Sequence, residues 1–144
     1  MAQSEKVILA YSGGLDTSFC VKYLQLEKNL EVHCAIVNTG GFTSKELKGI
    51  GDRAKLMGAA SFKVLDYTQE FYQKCLRYLI YGNVLRNSTY PLSVSAERVF
   101  QALAIIEYAK KKSARYIAHG STGAGNDQIR FDLIFNILGS GLEV

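Results

Sequence analysis

The chain predicts an α/β fold, a doubly wound parallel sheet, from three observations. β-rich runs alternate with segments of helical spacing, the links between them are short, and two glycine-bearing turns each follow a strand and precede a helix. With 144 residues, 48% of them apolar, one proline and no tryptophan, it has the composition of one compact domain and not of a disordered segment.

The first strand is read over Val7 to Tyr11, and Ser12-Gly13-Gly14 ends it. A helix then starts near Asp16 or Thr17, with "FCVKYL" supplying one of its faces. The second strand is Glu31 to Asn38. In the helix after it, Leu47, Ile50, Ala54 and Met57 share a face, Thr43 and Glu46 offer a capping box, and Gly58 offers a stop. The third strand is Ser61 to Asp66, and its helix carries Phe71, Cys75, Tyr78 and Leu79 as the expected buried stripe. An irregular stretch comes next, Tyr81 to Leu92, of the kind that binds ligands or moves. The fourth helix runs from about Ser95 to Lys112, with Val99, Phe100, Leu103 and Ile106 on one side, and feeds the fourth strand, "RYIAHG". Residues 139–144, "GSGLEV", read as an appended linker and the start of a protease-site tag, so the domain is assigned to 1–138. The fold is thus expected to be cut off after the fourth strand and its helix, leaving that strand as an open edge for self-association.

Charge and cysteine content narrow the function classes. The net charge is +4, but lysines and arginines are scattered apart from Lys110-Lys111-Lys112, a helix-end run that suits solvation and the helix dipole. No basic face for nucleic acid emerges. Cys20, Cys34 and Cys75 are far apart within apolar patterns and read as core thiols of a reducing compartment. With no signal peptide or membrane span in the pattern, the expected location is cytoplasmic.

"YSGGLDTS" carries the chemistry. Gly13 and Gly14 permit a tight turn that brings backbone amides close to an anion, and the helix after it begins with unpaired N–H groups and its positive dipole end. The plainer alternative is a strand-to-helix turn capped by Asp16 or Thr17 with no ligand. The loop is neither a Walker A motif nor GxGxxG. Ser12, Asp16, Thr17 and Ser18 together supply more oxygen atoms than a cap needs. A second loop, "HGSTGAGNDQIRFDL", succeeds the fourth strand, with glycines at 120, 123 and 125 and with Asn126 and Asp127 at the start of the next helix. In a sheet ordered 3-2-1-4 both loops flank one crevice at the switch point between strands one and four. His33 reads as a packed strand residue, and His119 stands beside the second loop.

"SGGLDTS" resembles the SGGxDS loop of the N-type ATP pyrophosphatases, whose fold is Rossmann-like, of the adenine nucleotide alpha hydrolase type. "AYSGGLDTS", "STYPLSVSAERV" and "HGSTGAGNDQIRFDL", in that order, are similar to the argininosuccinate synthase family. The resemblance implies a ligase of arginine biosynthesis that joins citrulline to aspartate with ATP, releasing AMP and pyrophosphate. It implies ATP contacts at Ala10, Tyr11, Ser12, Gly13, Gly14, Leu15, Asp16, Thr17 and Ser18, at Val37 beside the adenine, and at Gly120. It implies citrulline contacts at Tyr90, Ser95, Asn126 and Arg130, and aspartate contacts at Thr122, Asn126 and Asp127. Mg²⁺ would accompany the polyphosphate, with its ligands unassigned.

The chain departs from the family pattern at "NTGGFTSKE" and at "PLSVSAERV", where "LLGTSLARP" is more usual. The resembled enzymes are roughly three times as long and tetrameric, so the chain is expected to supply the nucleotide-binding domain and to be inactive alone. The alternatives are another N-type ATP pyrophosphatase or a non-catalytic nucleotide-binding module.

Overall fold

The computed structural model describes residues 4–123 and 125–144; Ala124, inside the second glycine loop, lies outside them. Strand β1 (Lys6–Ala10) leads through the first glycine loop into α1 (Leu15–Leu26), then β2 (Glu31–Asn38), α2 (Ser44–Leu56) and β3 (Ser61–Asp66). Helix α3 (Thr68–Phe71) passes through a π-helical stretch (Tyr72–Leu76) into α4 (Arg77–Tyr81). Strands β4 (Leu85–Arg86) and β5 (Tyr90–Pro91) precede α5 (Ser93–Lys111), β6 (Tyr116–His119) and α6 (Asn126–Leu138).

The main sheet has the order β3-β2-β1-β6 and is parallel at each pairing, for example Lys6 with Glu31, His33 with Ser61 and Val7 with Tyr116. This is the order under which both glycine loops flank one crevice, with β6 as the fourth strand of the sheet. Its central strands are covered on both faces, which explains the continuous apolar runs "VIL" and "CAIV". Successive side chains point to opposite faces. Ile8, Ala35, Val37 and Ile117 pack with Ala102, Ile105, Ile106 and Ala109 of α5 and with Phe131 and Phe135 of α6. Val7, Leu9, Val32, Cys34 and Ile36 pack with Val21 of α1 and with Ile50 and Ala54 of α2. Each fully buried aliphatic or aromatic side chain contributes about 1.5–3 kcal/mol.

Local signals explain several boundaries. Thr43 caps α2 by accepting from the Glu46 amide, while Glu46 accepts from the Thr43 amide at 2.8 Å, completing the capping box. Those hydrogen bonds hold the Glu46 carboxyl below its ordinary pKa. The α2 stripe is as expected, with Ile50 and Ala54 buried and Leu47 and Met57 partly so.

Elsewhere the structure corrects the sequence reading. Tyr78 is 58% exposed, not part of a buried stripe. The π-helical stretch between Phe71 and Arg77 is wider than an α-turn and rotates α4 about the helix axis, so α-helical spacing counted from Phe71 loses its phase before Tyr78. Val99 is 38% exposed. The α5 stripe that meets the sheet is Ala102, Ile105, Ile106 and Ala109, whose alanines admit the helix closely, while Val99 lies nearer the N-terminal end. The stretch from Tyr81 to Leu92 contains a small antiparallel hairpin in which Leu85 pairs with Pro91 and Arg86 with Tyr90. Its turn places Asn87 and Ser88 at positive φ, 52° and 57°.

The outer edge of β6 is also not bare. Glu143 bridges to Tyr116 in parallel, its carbonyl accepts from the Ile117 amide at 2.8 Å, and Arg115 Nη2 lies 2.8 Å from its carboxylate. Leu142 packs on the α5/α6 core. Residues 139–144 therefore lie where a strand beside β6 would begin, which partly covers the edge expected to be open. Among the described residues no helix is long and apolar enough to cross a membrane.

Candidate functional site

Two cavities open at the carboxyl ends of the strands. The first, about 490 Å³, lies between the first glycine loop, the end of β2, the N-terminal part of α5 and the second loop. That volume suits a small-molecule site, typically about 300–1,000 Å³. The second, about 340 Å³, is lined by Arg86, Asn87, Thr89, Tyr90, Ser95, Asn126 and Arg130.

The first loop is shaped by its own hydroxyls. Gly13 has φ +79°, a conformation that strains any side chain, and a Cβ there would also press on Ile50 Cγ1 at 3.0 Å. Gly14 is the N-cap residue of α1 but offers no side-chain cap, and the helix starts at Leu15, slightly earlier than expected. Ser12 Oγ accepts from the Gly14 amide at 3.3 Å and lies 3.2 Å from Thr17 Oγ1, which donates to the Gly14 carbonyl at 3.3 Å. The hydroxyls of Ser12 and Thr17 thus brace the turn at the start of α1, whose first-turn amides have no partner within the helix itself. Tyr11 is buried, its hydroxyl 3.0 Å from Ser18 Oγ, and its amide extends the β2 pairing to the Ala35 carbonyl.

The second loop is seated on the first. A Cβ on Gly120 would come within 2.8 Å of Thr17 Cγ2 and 3.2 Å of the Thr17 amide nitrogen. Only a bare backbone fits there, so the two loops share one wall. His119 fastens this loop from below. Its Nδ1 accepts from the Ser121 amide at 3.3 Å, which leaves Nε2 to donate to Asp132 Oδ1 at 2.9 Å. That bond, helped by Gln128, holds the Asp132 carboxyl below its ordinary pKa. The His119 ring rests 5.5 Å from Phe131, which stacks on Phe135.

Of the residues implied for the nucleotide, Ala10, Tyr11, Ser12, Thr17, Val37 and Gly120 line the first cavity. Gly13, Gly14, Leu15, Asp16 and Ser18 belong to the same turn without lining it; Leu15 is 85% exposed and Asp16 is exposed. Tyr90, Ser95, Asn126 and Arg130 come together in the second cavity. The aspartate set divides: Asp127 lines the first cavity, Asn126 the second, and Thr122 neither. Among the described residues there is no group of three or more His, Cys, Asp or Glu side chains that could hold a metal ion.

A polar chain joining the cavities was missed by sequence reasoning. Thr39, after β2, donates to Glu97, which also accepts from Gln101 Nε2 at 3.2 Å. Arg98 Nη1 donates to Gln101 Oε1 at 3.0 Å, and Arg98 Nε lies 3.1 Å from Asp127 Oδ2. Arg130 continues the chain, donating to Asp127 Oδ1 and to Ser95 Oγ, both at 3.2 Å. The one available signal was spacing: Arg98 lies one helical turn after Ser95 and shares its face. Thr39 and Glu97 belong to "NTGGFTSKE" and "PLSVSAERV", and in space those two segments meet.

The chain is similar to curated argininosuccinate synthases across its length. It is 41% identical to the enzyme of Staphylococcus saprophyticus over 97% of the chain and 34% of that protein. It is 38% identical to that of Dictyoglomus thermophilum over 99% and 35%, and 40% identical to that of Sulfurisphaera tokodaii over 92% and 34%. It therefore spans about a third of the length of these relatives. Two solved structures share the fold. They are an NMN synthetase from Francisella tularensis, with TM-score 0.56, 10% identity, and 75% of this chain and 42% of that one covered, and a predicted tRNA methyltransferase subunit from Methanocaldococcus jannaschii, with TM-score 0.57, 19% identity, and 85% and 55% covered. The family model for the arginosuccinate synthase N-terminal HUP domain matches residues 6–144, and the chain belongs to that family.

Proposed function

We propose that this chain is the ATP-binding part of an argininosuccinate synthase, a ligase that condenses citrulline with aspartate and releases AMP and pyrophosphate. The observation that carries the reading is the seating of Gly120 on Thr17, which turns both glycine loops toward one cavity. Amides at the start of α1 and around Gly120 would receive the polyphosphate, and Val37 would flank the adenine. Tyr90, Ser95, Asn126 and Arg130 would hold citrulline, the arginine gripping its carboxylate. Thr122, Asn126 and Asp127 would face aspartate.

The chemistry asks for no protein nucleophile. The citrulline ureido oxygen attacks the ATP α-phosphorus and expels pyrophosphate, and the aspartate amine then displaces AMP. Such steps depend on positioning and on dipoles aimed at developing charge. Mg²⁺ would ride on the triphosphate: the described residues offer it no acidic cluster, and Asp127 is engaged by two arginines. Residues 139–144, of which Glu143 bridges to the β6 edge, are taken as part of the domain. The complete enzyme is proposed to be a cytoplasmic homotetramer with no nucleic-acid partner.

The test is ATP–pyrophosphate exchange by a protein carrying this chain at the length of its curated relatives. Exchange that requires citrulline supports the synthase. Exchange without citrulline points to another ATP pyrophosphatase, and ATP binding with no exchange points to a non-catalytic module.

A further inference from the structure

The first cavity has a charge problem. If it takes a triphosphate, as the proposed function holds, it needs cations, yet Arg98 is the only lysine or arginine lining it among the described residues. Arg98 is not idle: it is held by Asp127 at 3.1 Å and by Gln101 at 3.0 Å, with Glu97 Oε2 at 3.7 Å. The Asp127 pairing is only partly shielded, the two side chains being 25% and 45% exposed. An ion pair so open to solvent is weakly held. A charge-assisted hydrogen bond to phosphate is among the stronger ones, and a triphosphate offers several such acceptors with more negative charge than one carboxylate. The guanidinium therefore has more to gain from the ligand than from its resting partner.

We propose that Arg98 is a polyphosphate-binding residue of the first cavity, and that it exchanges Asp127 for phosphate when the nucleotide enters. The exchange has a consequence next door. Asp127, released by Arg98, keeps its bond to Arg130, which lines the second cavity, and gains a free carboxylate oxygen on the first-cavity side. With Arg98 drawn away, that oxygen regains its uncompensated negative charge and accepts an ammonium group more strongly, so occupation of the first cavity prepares the second ligand's site.

The proposal rests on the nucleotide reading, and the experiment separates their failures. Wild type, Arg98→Gln, Arg98→Lys and Asp127→Asn are titrated with ATP, AMP and inorganic pyrophosphate by calorimetry, with thermal unfolding as the check on folding. Arg98→Gln is expected to weaken ATP and pyrophosphate about tenfold, the equivalent of about 1.4 kcal/mol, and AMP less than twofold. Arg98→Lys keeps the charge and most of the preference for ATP over AMP. Asp127→Asn removes the competitor and binds ATP as tightly as wild type or several-fold tighter. Equal losses for ATP and AMP in Arg98→Gln, or a loss in Asp127→Asn matching that of Arg98→Gln, would overturn the proposal and leave the nucleotide reading standing. A wild-type chain that binds none of the three ligands would overturn both.

Discussion

The two cavities are built in opposite ways. The first is floored by the core: Tyr11, Ile105 and Phe131 are buried and reach it, and its glycine loops are locked on each other by the contact between Gly120 and Thr17. The second is walled largely by an exposed hairpin, with Arg86, Asn87, Thr89 and Tyr90 all open to solvent. Rigidity tracks burial, so the first cavity is held by the core, and the second has a wall with little packing behind it. On the proposed reading, the sheet fixes the nucleotide side, and the hairpin carries the side assigned to the amino acids.

The largest effect that would sharpen this contrast lies under the first cavity. Phe135→Ala removes a side chain that is 1% exposed and stacked on Phe131, and should cost about 3–5 kcal/mol in urea unfolding. A loss below about 1 kcal/mol would mean that the core does not support this cavity.

Next comes the seam between the loops. Gly120→Ala places a methyl 2.8 Å from Thr17 Cγ2. Overpacking of this kind costs about 1–3 kcal/mol, and it should also weaken ATP binding, because the loops must part. Unchanged ATP affinity would show that the contact is not what shapes the site.

Much of this arrangement was legible in the sequence. The parallel sheet follows from strands alternating with helices, the α2 start from Thr43 and Glu46, and, given the strand order, the convergence of loops from the switch-point rule applied to "YSGG" and "HGSTG". What escaped was of another kind. Nothing in local spacing announces a π-helical stretch, and so Tyr78 was assigned to the wrong face. The bonds from Thr39 to Glu97 and from Arg98 to Asp127 join residues far apart in sequence, and periodicity carries no information about such pairs. The contacts of Glu143 with β6 were hidden by a composition that reads as linker.

A smaller effect separates the scaffold from both cavities. Burial pushes the His33 pKa below its ordinary value of 6.5, with Nδ1 2.7 Å from Ser61 Oγ and Glu31 Oε1 3.1 Å from Nε2 but outside hydrogen-bonding direction. Because the folded pKa is depressed, the neutral ring's contribution is complete above pH 6.5 and is lost as pH falls below it. Melting temperature should therefore decline from neutral pH toward about pH 5, and less steeply in His33→Asn. Parallel slopes would assign the acid sensitivity elsewhere. The smallest effect belongs to the hairpin: Tyr90→Ala, at 48% exposure, should alter stability by less than about 0.5 kcal/mol while removing a wall of the second cavity. A larger loss would show that the hairpin is part of the core.

The central claim, that both glycine loops bind one triphosphate, is tested most directly by titrating the ¹⁵N-labelled chain with ATP and monitoring backbone amides by NMR. The account predicts that Gly13 to Thr17 and Gly120 to Ser121 shift together along one saturation curve, with the hairpin amides unmoved. Shifts confined to one loop, or two curves with different midpoints, would contradict it.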